Sequence, residues 1–470
     1  MQQDRRPLTG PSCGARAHGP GAGKPRKSHN RRPRPGIKRP PAPRNRPGDR
    51  PVTVLRTAEQ PATRPGPAPG LLLASQLIFN IGFYSVVPFL ALVMTQDFGM
   101  TATAVGVVLG ARVFSQQGLF LVGGMITDRW GPRHAMLVGC LVRVSGYLTL
   151  AMAGSFPLFL LGAVLTGMGG ALFSPALESL VGQAEERRRD SSGKAPALFA
   201  LLAICGEIGA VAGPLLGAVL LDVSFSWAAL AGAGVFAVMS VVLWRHVPAR
   251  VPSTRQMVPA DEKPGARTDG IAVMLRDKRF VAFGALYSVN LLAYNQLYFG
   301  LPIELTRSGA GPAALAGLFA VASLLTVGLQ WPVSRLTHRM GPGRALTAGF
   351  TIKGLAFATM AVFAQFPASG PLQLLPPLLL VAGLCLGHMC IGPVAMPLVL
   401  DFARGRRSGI YYGLLASLGG CAVLLGNFVL GPLYSGASQP GPDAVWPWAV
   451  MAALTVVPAV GLSRLLPAPR

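Results

Sequence analysis

Starting at Gly124, the chain reads Gly-Met-Ile-Thr-Asp-Arg-Trp-Gly-Pro-Arg-His-Ala-Met, and a weaker copy, Arg-Leu-Thr-His-Arg-Met-Gly-Pro-Gly-Arg-Ala-Leu, follows Ser334. Six residues of the first copy recur at one constant separation of 210 positions. Thr127, Arg129, Gly131, Pro132, Ala135 and Gly139 return as Thr337, Arg339, Gly341, Pro342, Ala345 and Gly349. That separation is about half of the hydrophobic region between Leu71 and Leu466, so the sequence predicts a duplicated helical bundle.

The composition is that of an integral membrane protein. Hydrophobic residues make up 51% of the chain and charged residues 13%, against roughly 25% charged residues in an ordinary soluble domain. Apolar runs long enough to cross a bilayer, which takes about 20 residues, alternate with short polar joints. Barrel strands would be shorter and alternating, so we predict an all-α protein with twelve membrane spans. The predicted spans are 71–95, 102–125, 134–154, 157–182, 196–221, 226–245, 280–303, 311–335, 344–364, 371–399, 408–435 and 445–467.

Cationic residues are concentrated in every second joint between the predicted spans. Joints after odd-numbered spans carry only Arg307. Because cytoplasmic loops of membrane proteins are enriched in Lys and Arg, we predict a multi-pass protein of the inner (plasma) membrane with both termini in the cytoplasm. The cations after even-numbered spans are Arg129, Arg133, Arg187, Arg188, Arg189, Lys194, Arg335, Arg339, Arg344, Arg404, Arg406 and Arg407.

These patterns divide the chain into four predicted regions. Two six-helix bundles are predicted at 70–245 and 280–470, joined by a cytoplasmic linker at 246–279. Residues 1–69 form a basic tail, rich in Arg and Pro, that cannot bury enough apolar surface to order itself. The tail has three interpretations: attachment to the anionic inner leaflet, nucleic-acid binding, or no function. We favour the last, and no nucleic-acid partner is expected.

The sequence offers no signature of an enzyme. No Ser-His-Asp order and no phosphate-binding loop occurs. The cysteines form no CxxC pair or similar ligand spacing, so neither a metal site nor a disulfide framework is supported. We therefore expect no cofactor. The protein is expected to be a monomer in the lipid bilayer. The cysteines are Cys13, Cys140, Cys205, Cys385, Cys390 and Cys421.

The first copy of the repeat follows the pattern GxxxDRxGxR, from Gly124 to Arg133, with Pro132 at one commonly basic position. Gly124 is expected to permit close approach of two helices, and Gly131 to support the sharp reversal between them. An ordinary positively charged turn would not be expected to have this spacing and a second copy.

This pattern resembles the signature loop of the major facilitator superfamily. In that family the acidic residue latches the two halves together on the cytoplasmic side. The resemblance gives this role to Asp128, with Arg129 and Arg133 as its neighbours. His338 occupies the corresponding position of the second copy, so we expect the latch to be asymmetric.

A second motif lies in the fifth predicted span, which reads Gly-Ala-Val-Ala-Gly-Pro-Leu-Leu-Gly from Gly209. It resembles the antiporter motif gxxxGPxxGG, with Ala218 in place of the last glycine. The small faces of Gly209, Gly213 and Gly217 are expected to let predicted spans 5 and 8 pack closely, and Pro214 to add a kink. Within the family this motif accompanies exporters, so the resemblance implies export.

Wider similarity extends from Gly82 to the final predicted span. The segments Gly-Ala-Arg-Val-Phe-Ser-Gln-Gln-Gly from Gly110 and Arg-Asp-Lys-Arg-Phe from Arg276 are similar to the MdtH-type multidrug-resistance branch of the twelve-helix drug:proton antiporters. The resemblance implies multidrug efflux and antibiotic resistance. Many of these antiporters carry an arginine in helix 4, where this chain has Ala163, so a different arrangement for proton coupling is expected.

Four ionisable residues lie well inside predicted spans: Arg112, Arg143, Glu207 and Lys353. An unpaired charge at the bilayer centre costs about 2.5 to 3.5 kcal/mol or more, so these side chains should face the bundle interior. Arg143 and Lys353 are 210 positions apart and therefore fall at corresponding points of the two halves. We predict that Glu207 carries the proton with Arg112 as its partner; a static buried ion pair is the alternative.

Polar residues at helical spacing predict the lining of a substrate cavity. In the first predicted span they recur every four positions on one helical face, and Pro88 and Pro302 align this span with the seventh. The predicted substrate-binding residues are Gln76, Asn80, Tyr84, Gln116, Gln117, Asn290, Tyr294 and Tyr298.

The sequence thus predicts a proton-coupled secondary transporter that exports small amphipathic compounds, such as drugs or secondary metabolites, by alternating access. One alternative is an importer of a metabolite or organic anion with the same fold. Another is a membrane receptor that binds a ligand without moving it. The direction of flux in proteoliposomes distinguishes an importer from an exporter. Binding without flux would identify a receptor.

Overall fold

The computed structural model describes residues 67–191, 198–248, 274–366, 371–403, 408–437 and 441–465, and these ranges contain helices and turns but no strand. Nearly all of the predicted tail and most of the predicted linker lie outside them. The α-helices of the described ranges are α1 (Pro69–Tyr84), α2 (Val87–Gln96), α3 (Ala102–Val113), α4 (Phe120–Trp130), α5 (Pro132–Ala151), α6 (Phe156–Ser191), α7 (Leu198–Leu221), α8 (Phe225–His246), α9 (Lys278–Asn295), α10 (Gly300–Arg307), α11 (Pro312–Met340), α12 (Pro342–Phe363), α13 (Leu375–Ala403), α14 (Ser408–Gly436) and α15 (Trp446–Leu465).

The prediction of an all-α membrane protein is confirmed. Eleven helical segments in the described ranges are long and apolar enough to cross a membrane, and they coincide with eleven of the predicted spans. The seventh predicted span, 280–303, is divided into α9 and α10 by a turn that contains the polar residue Gln296. This divided span is the predicted one that is not among the eleven segments of the described ranges.

The first and seventh predicted spans break at corresponding prolines. A proline has no N–H to donate and its ring clashes with the carbonyl group four residues earlier. Pro88 lies four residues after Tyr84, where α1 ends, and Pro302 lies four residues after Tyr298, which is in the turn before α10. The two tyrosines therefore lie at equivalent breaks in the two halves of the chain.

The two copies of the repeated segment form the same helix-turn-helix connection. Gly131 ends α4 with φ 84°, and Gly341 ends α11 with φ 80°, a left-handed conformation that other residues adopt at a cost. A proline at the first helical position begins the next helix in both cases. The duplication read from the sequence is thus reproduced in the backbone.

Helix packing follows the same duplication. In the first half α5 packs against α6 and α8, and in the second half α12 packs against α13 and α15. The halves meet where α3 contacts α14 and where α7 contacts α11. Four exposed tryptophans lie at or near helix ends, as expected for residues at a membrane interface: Trp130, Trp227, Trp244 and Trp446.

Candidate functional site

A cavity of about 260 Å³ lies between the two halves of the molecule. Its lining is aromatic, amide and cationic, and no described carboxylate contributes to it. This volume is just below the roughly 300–1,000 Å³ range of small-molecule pockets, so the cavity suits a small ligand. The lining residues are Phe79, Asn80, Phe83, Tyr84, Arg112, Val113, Gln116, Gln117, Arg143, Leu291, Tyr294, Asn295 and Tyr298.

Two tyrosines at the helix breaks connect the halves at this cavity. Tyr84 and Tyr298 hydrogen-bond each other. Phe319 of α11 packs against both, with ring centroids 6.4 Å from Tyr84 and 5.2 Å from Tyr298. Tyr294, one helical turn before Tyr298, packs on the ring of His388 with centroids 4.5 Å apart. The aromatic lining is therefore supported from outside the cavity.

The two predicted glutamines belong to a π-helical turn, Phe114–Gly118, between α3 and α4. Such turns occur often at functional sites, where the additional residue reorients the side chains. Nη2 of Arg112 donates a hydrogen bond of 2.8 Å to Oε1 of Gln116. Ser417 of α14 donates to the carbonyl oxygen of Gly118 at 3.2 Å. The π-helical turn thus brings Gln116 and Gln117 to the cavity and contacts the other half.

Arg112 and Arg143 contribute guanidinium groups to the lining, and the ion pair that the described residues form, Glu304–Arg307, involves neither. Arg112 lies 4.6 Å from the centre of the Phe83 ring, and Arg143 lies 4.0 Å from that of Phe79. Cation–π attraction of this kind is strongest away from water. Nε of Arg112, and Nε and Nη1 of Arg143, are buried without a hydrogen-bond partner in the described ranges.

Lys353 of α12 occupies a setting equivalent to that of Arg143. Its Nζ atom donates to Oδ1 of Asn290 at 2.5 Å and to the carbonyl oxygen of the same residue at 3.3 Å. A Cβ atom added to Gly169 would lie 2.5 Å from Cγ of Arg143, and one added to Gly387 would lie 2.5 Å from Cγ of Lys353. A glycine of the adjacent helix therefore makes room for each cation, at corresponding places in the two halves.

The predicted direct pair between Glu207 and Arg112 is not formed in this structure. Glu207 is half-buried on α7, and its carboxyl group hydrogen-bonds Ser323 of α11. Arg112 bonds Gln116 instead. Tyr84 interacts electrostatically with both Glu207 and Arg112. The physical reason is that each charged group has a hydrogen-bond partner of its own, Ser323 for Glu207 and Gln116 for Arg112.

Six of the eight predicted substrate-binding residues line the cavity. Gln76 does not, because it lies one helical turn before Asn80, nearer the start of α1, and faces Gly206 of α7. Asn290 does not, because it holds Lys353. The predicted residues that line the cavity are Asn80, Tyr84, Gln116, Gln117, Tyr294 and Tyr298.

Two aromatic residues of the lining, Phe79 and Phe83, were missing from the sequence prediction. Phe79 and Phe83 each precede a predicted residue by one position and follow the same four-residue spacing. This spacing is a signal that could have identified them. Asn295 and Leu291 have no comparable signal, since their exposure to the cavity depends on how α9 is rotated.

The glycines of the fifth predicted span pack against α1 rather than the eighth span, contrary to the prediction. A Cβ atom added to Gly209 would lie 2.6 Å from Cβ of Asn80, and one added to Gly213 would lie 2.5 Å from Cβ of Tyr84. A Cβ atom on Gly217 would overlap the carbonyl oxygen of Ser85, the residue directly after α1. Helix α7 does contact α11, the eighth span, but through other residues. The motif therefore sets the distance from α7 to the cavity-lining helix.

In the repeated segment, the close helix contact is made one residue earlier than predicted. A Cβ atom on Gly123 would overlap the carbonyl oxygen of Ala171 in α6, whereas one on Gly124 would meet nothing within 4 Å. Nη2 of Arg133 donates to the carbonyl oxygen of Trp244 at the end of α8, at 2.6 Å. The side chain of Arg129 is exposed. The side chain of Asp128 lies outside the described part, so its predicted latch contact is not described.

A duplicated, membrane-spanning helical bundle with a polar and aromatic cavity between its halves is the architecture of a membrane transporter. The sequence profile of the Major Facilitator Superfamily matches residues 72–427. The chain belongs to this superfamily of transporters, and the resemblance noted from its motifs is confirmed.

Relatives and solved structures agree with this assignment. An uncharacterized MFS-type transporter of Mycobacterium tuberculosis, Rv0849, is 33% identical over 84% of this chain and 92% of its own length. The multidrug resistance protein MdtH of Escherichia coli is 29% identical over 78% of this chain and 88% of its own length. The crystal structure of the nucleoside transporter NupG matches with a TM-score of 0.66 at 14% identity, over 84% of this chain and 98% of that one, and shows the shared fold.

Proposed function

We propose that the chain exports small amphipathic compounds across the plasma membrane in exchange for protons. The observation that carries this proposal is the cavity, whose aromatic and polar lining comes from both halves of the molecule. The similarity to MdtH, a multidrug resistance protein, supports efflux and a role in antibiotic resistance. The chain is proposed to act as a monomer with both termini in the cytoplasm.

Alternating access is the proposed mechanism. The six-helix bundles, residues 70–245 and 280–470, rock against each other about the cavity. Helix α2 packs against α10 at one end of the bundles, where Nε2 of Gln96 donates to Oγ1 of Thr306 at 3.3 Å. With cytoplasmic termini this end is extracellular, so the described conformation is closed to the outside. Asp128, Arg129 and Arg133 belong to the proposed latch at the opposite end.

Proton coupling is assigned to Glu207, and Arg112 is assigned an indirect contact with it. Glu207 is a half-buried acid on a helix that contacts both the cavity helix α1 and the opposite half. Tyr84 connects it electrostatically to Arg112, so a change in the charge of Glu207 acts on the cavity through this tyrosine. Arg143, which lines the cavity, and Lys353 hold equivalent positions in the two halves. An inward proton supplies about 2.3 kcal/mol at 100 mV, before any pH gradient.

Replacing Glu207 tests the coupling directly. In proteoliposomes with an imposed pH gradient, two fluorescent probes are tested, ethidium and 2-naphthoate. Glu207→Gln is expected to abolish gradient-driven transport of whichever probe the wild-type protein moves, while the protein still inserts and purifies normally. Asp222→Asn, which neutralises an exposed acid directly after α7, serves as the control and should retain transport. Gradient-driven transport by Glu207→Gln at the wild-type rate would refute the assignment.

The direction of transport is inferred from the antiporter motif. The motif's glycines fix α7 against the cavity helix α1, and within the superfamily such a motif accompanies exporters. An importer of an organic anion is the second candidate, because two cations line the cavity. Proteoliposomes of known orientation separate these candidates by the side on which a labelled compound accumulates. A receptor without turnover would bind the compound and show no flux on either side.

A further inference from the structure

We propose that the compounds bound by this cavity are small aromatic anions, with a carboxylate or a similar acidic group directed at Arg112 and Arg143. The inference rests on the proposed function insofar as the cavity is taken to be the transport site. It adds the charge and shape of the ligand, which neither the superfamily nor the relatives specify.

The charges that line the cavity favour an anionic ligand. Both arginines line the cavity and are more than nine-tenths buried, with exposed fractions of 7% for Arg112 and 1% for Arg143. They are close enough to repel each other. No carboxylate of the described ranges lines the cavity or pairs with either guanidinium group. Two buried like charges without a counter-ion are unfavourable, and a bound anion would compensate them.

Guanidinium N–H groups without hydrogen-bond acceptors favour a carboxylate or a similar acidic group on the ligand. Three guanidinium nitrogen atoms, Nε of Arg112 together with Nε and Nη1 of Arg143, are buried without an acceptor in the described part of the chain. The acceptor that Arg112 does have is the amide oxygen of Gln116, a neutral group. Arginine binds carboxylates through paired, charge-assisted hydrogen bonds, which a neutral or cationic ligand cannot provide.

The rest of the lining indicates an aromatic ligand. Phe79, Phe83, Tyr84, Tyr294 and Tyr298 surround the polar groups. Flat aromatic rings stack favourably on such side chains. The volume of about 260 Å³ restricts the ligand to one or two fused rings. Glu207, the acid of α7, is not among the lining residues, and its electrostatic contacts are with the lining tyrosines Tyr84 and Tyr294 rather than with either arginine.

Three probes of nearly identical shape test the proposal: 2-naphthoate, its neutral amide 2-naphthamide, and the cation 2-naphthylmethylammonium. Binding to the purified full-length protein is measured by isothermal titration calorimetry. We expect the wild-type protein to bind the carboxylate at least about tenfold more tightly than the amide, a difference of about 1.4 kcal/mol, and to bind the cation most weakly. Equal binding of the three probes, or preference for the cation, would overturn the proposal without requiring any variant.

Variants identify the residues responsible. Arg112→Gln and Arg143→Gln should each remove the preference for the carboxylate over the amide, and Arg112→Lys should retain part of it. Arg335→Gln removes an exposed cation that packs on Trp331 and should leave the preference unchanged. Retention of the full preference by both glutamine variants would overturn the assignment to these two residues.

Flux measurements separate this proposal from the proposed function. Naphthoate that binds with the expected preference but is not moved by a pH gradient would refute transport and leave the anion site intact. Gradient-driven transport of ethidium by a protein that does not bind naphthoate would refute the anion site and leave transport intact.

Discussion

Two neighbouring glycines of α4 have different surroundings, although the sequence motif contains only one of them. The Cα atom of Gly123 faces the carbonyl oxygen of Ala171 so closely that a methyl group would overlap it, while Gly124 faces open space. Backbone of an adjacent helix cannot move aside as a flexible side chain can. Gly123 is therefore the residue that holds α4 against α6.

This difference predicts opposite effects of the same substitution. Gly123→Ala should lower the thermal stability of the detergent-purified protein, since overpacking typically costs about 1 to 3 kcal/mol. Gly124→Ala should leave the stability unchanged or raise it slightly, because alanine favours a helix over glycine by up to about 1 kcal/mol. Melting temperatures of the two variants, compared with the wild type, provide the measurement. Equal melting temperatures for both would contradict the packing described for α4.

The two buried cations Arg143 and Lys353 show which contacts can be predicted from the sequence and which cannot. Arg143 and Lys353 were paired from sequence by their constant separation, and their equivalent glycine-lined settings agree with that pairing. The partner of Lys353, the side chain of Asn290, comes from another helix. No local pattern encodes such a contact, which explains why Asn290 was predicted to line the cavity instead.

At the level of helices, the number and position of the spans could be predicted because length and hydropathy determine them. The breaks in the first and seventh spans were not predicted, although Pro88 and Pro302 mark them. The π-helical turn at Phe114–Gly118 has no marker in its sequence. Rotation of a helix about its own axis is equally hidden, and it brings Tyr84 close enough to interact with both Glu207 and Arg112.

The contact between α7 and α1 yields a prediction about the cavity. Gly213→Leu should push α1 away from α7, because even a Cβ atom at this position lies 2.5 Å from Cβ of Tyr84. The displaced tyrosine would separate from Tyr298, and we expect at least about tenfold weaker binding of a cavity ligand. Calorimetry with 2-naphthoate measures the effect.

Gly234→Leu on α8 is the matched control for this prediction, since a Cβ atom there meets nothing within 4 Å. It should bind the ligand as the wild type does. If Gly213→Leu also bound normally while remaining folded, the motif would not position the cavity helix.

For the whole molecule, the duplication produces two similar halves that enclose the cavity and can separate at either end. The halves touch along α3 and α14 and along α7 and α11, and α2 meets α10 at one end. Interfaces between packed helices tend to have discrete arrangements rather than a continuous range. A cavity enclosed between two such halves can open to one side by separating α2 from α10 and to the other by separating the opposite ends.

The central claim is that one cavity is reached from both sides of the membrane in turn, and cysteine labelling tests it most directly. Gln117→Cys places a thiol in the cavity, in a background whose native cysteines are serine. We expect a membrane-impermeant maleimide to label it from either side in intact and inverted vesicles. A disulfide between Gln96→Cys and Thr306→Cys, whose native side chains are hydrogen-bonded, should abolish labelling from the extracellular side only. Labelling from a single side under all conditions, or labelling unaffected by that disulfide, would contradict the account.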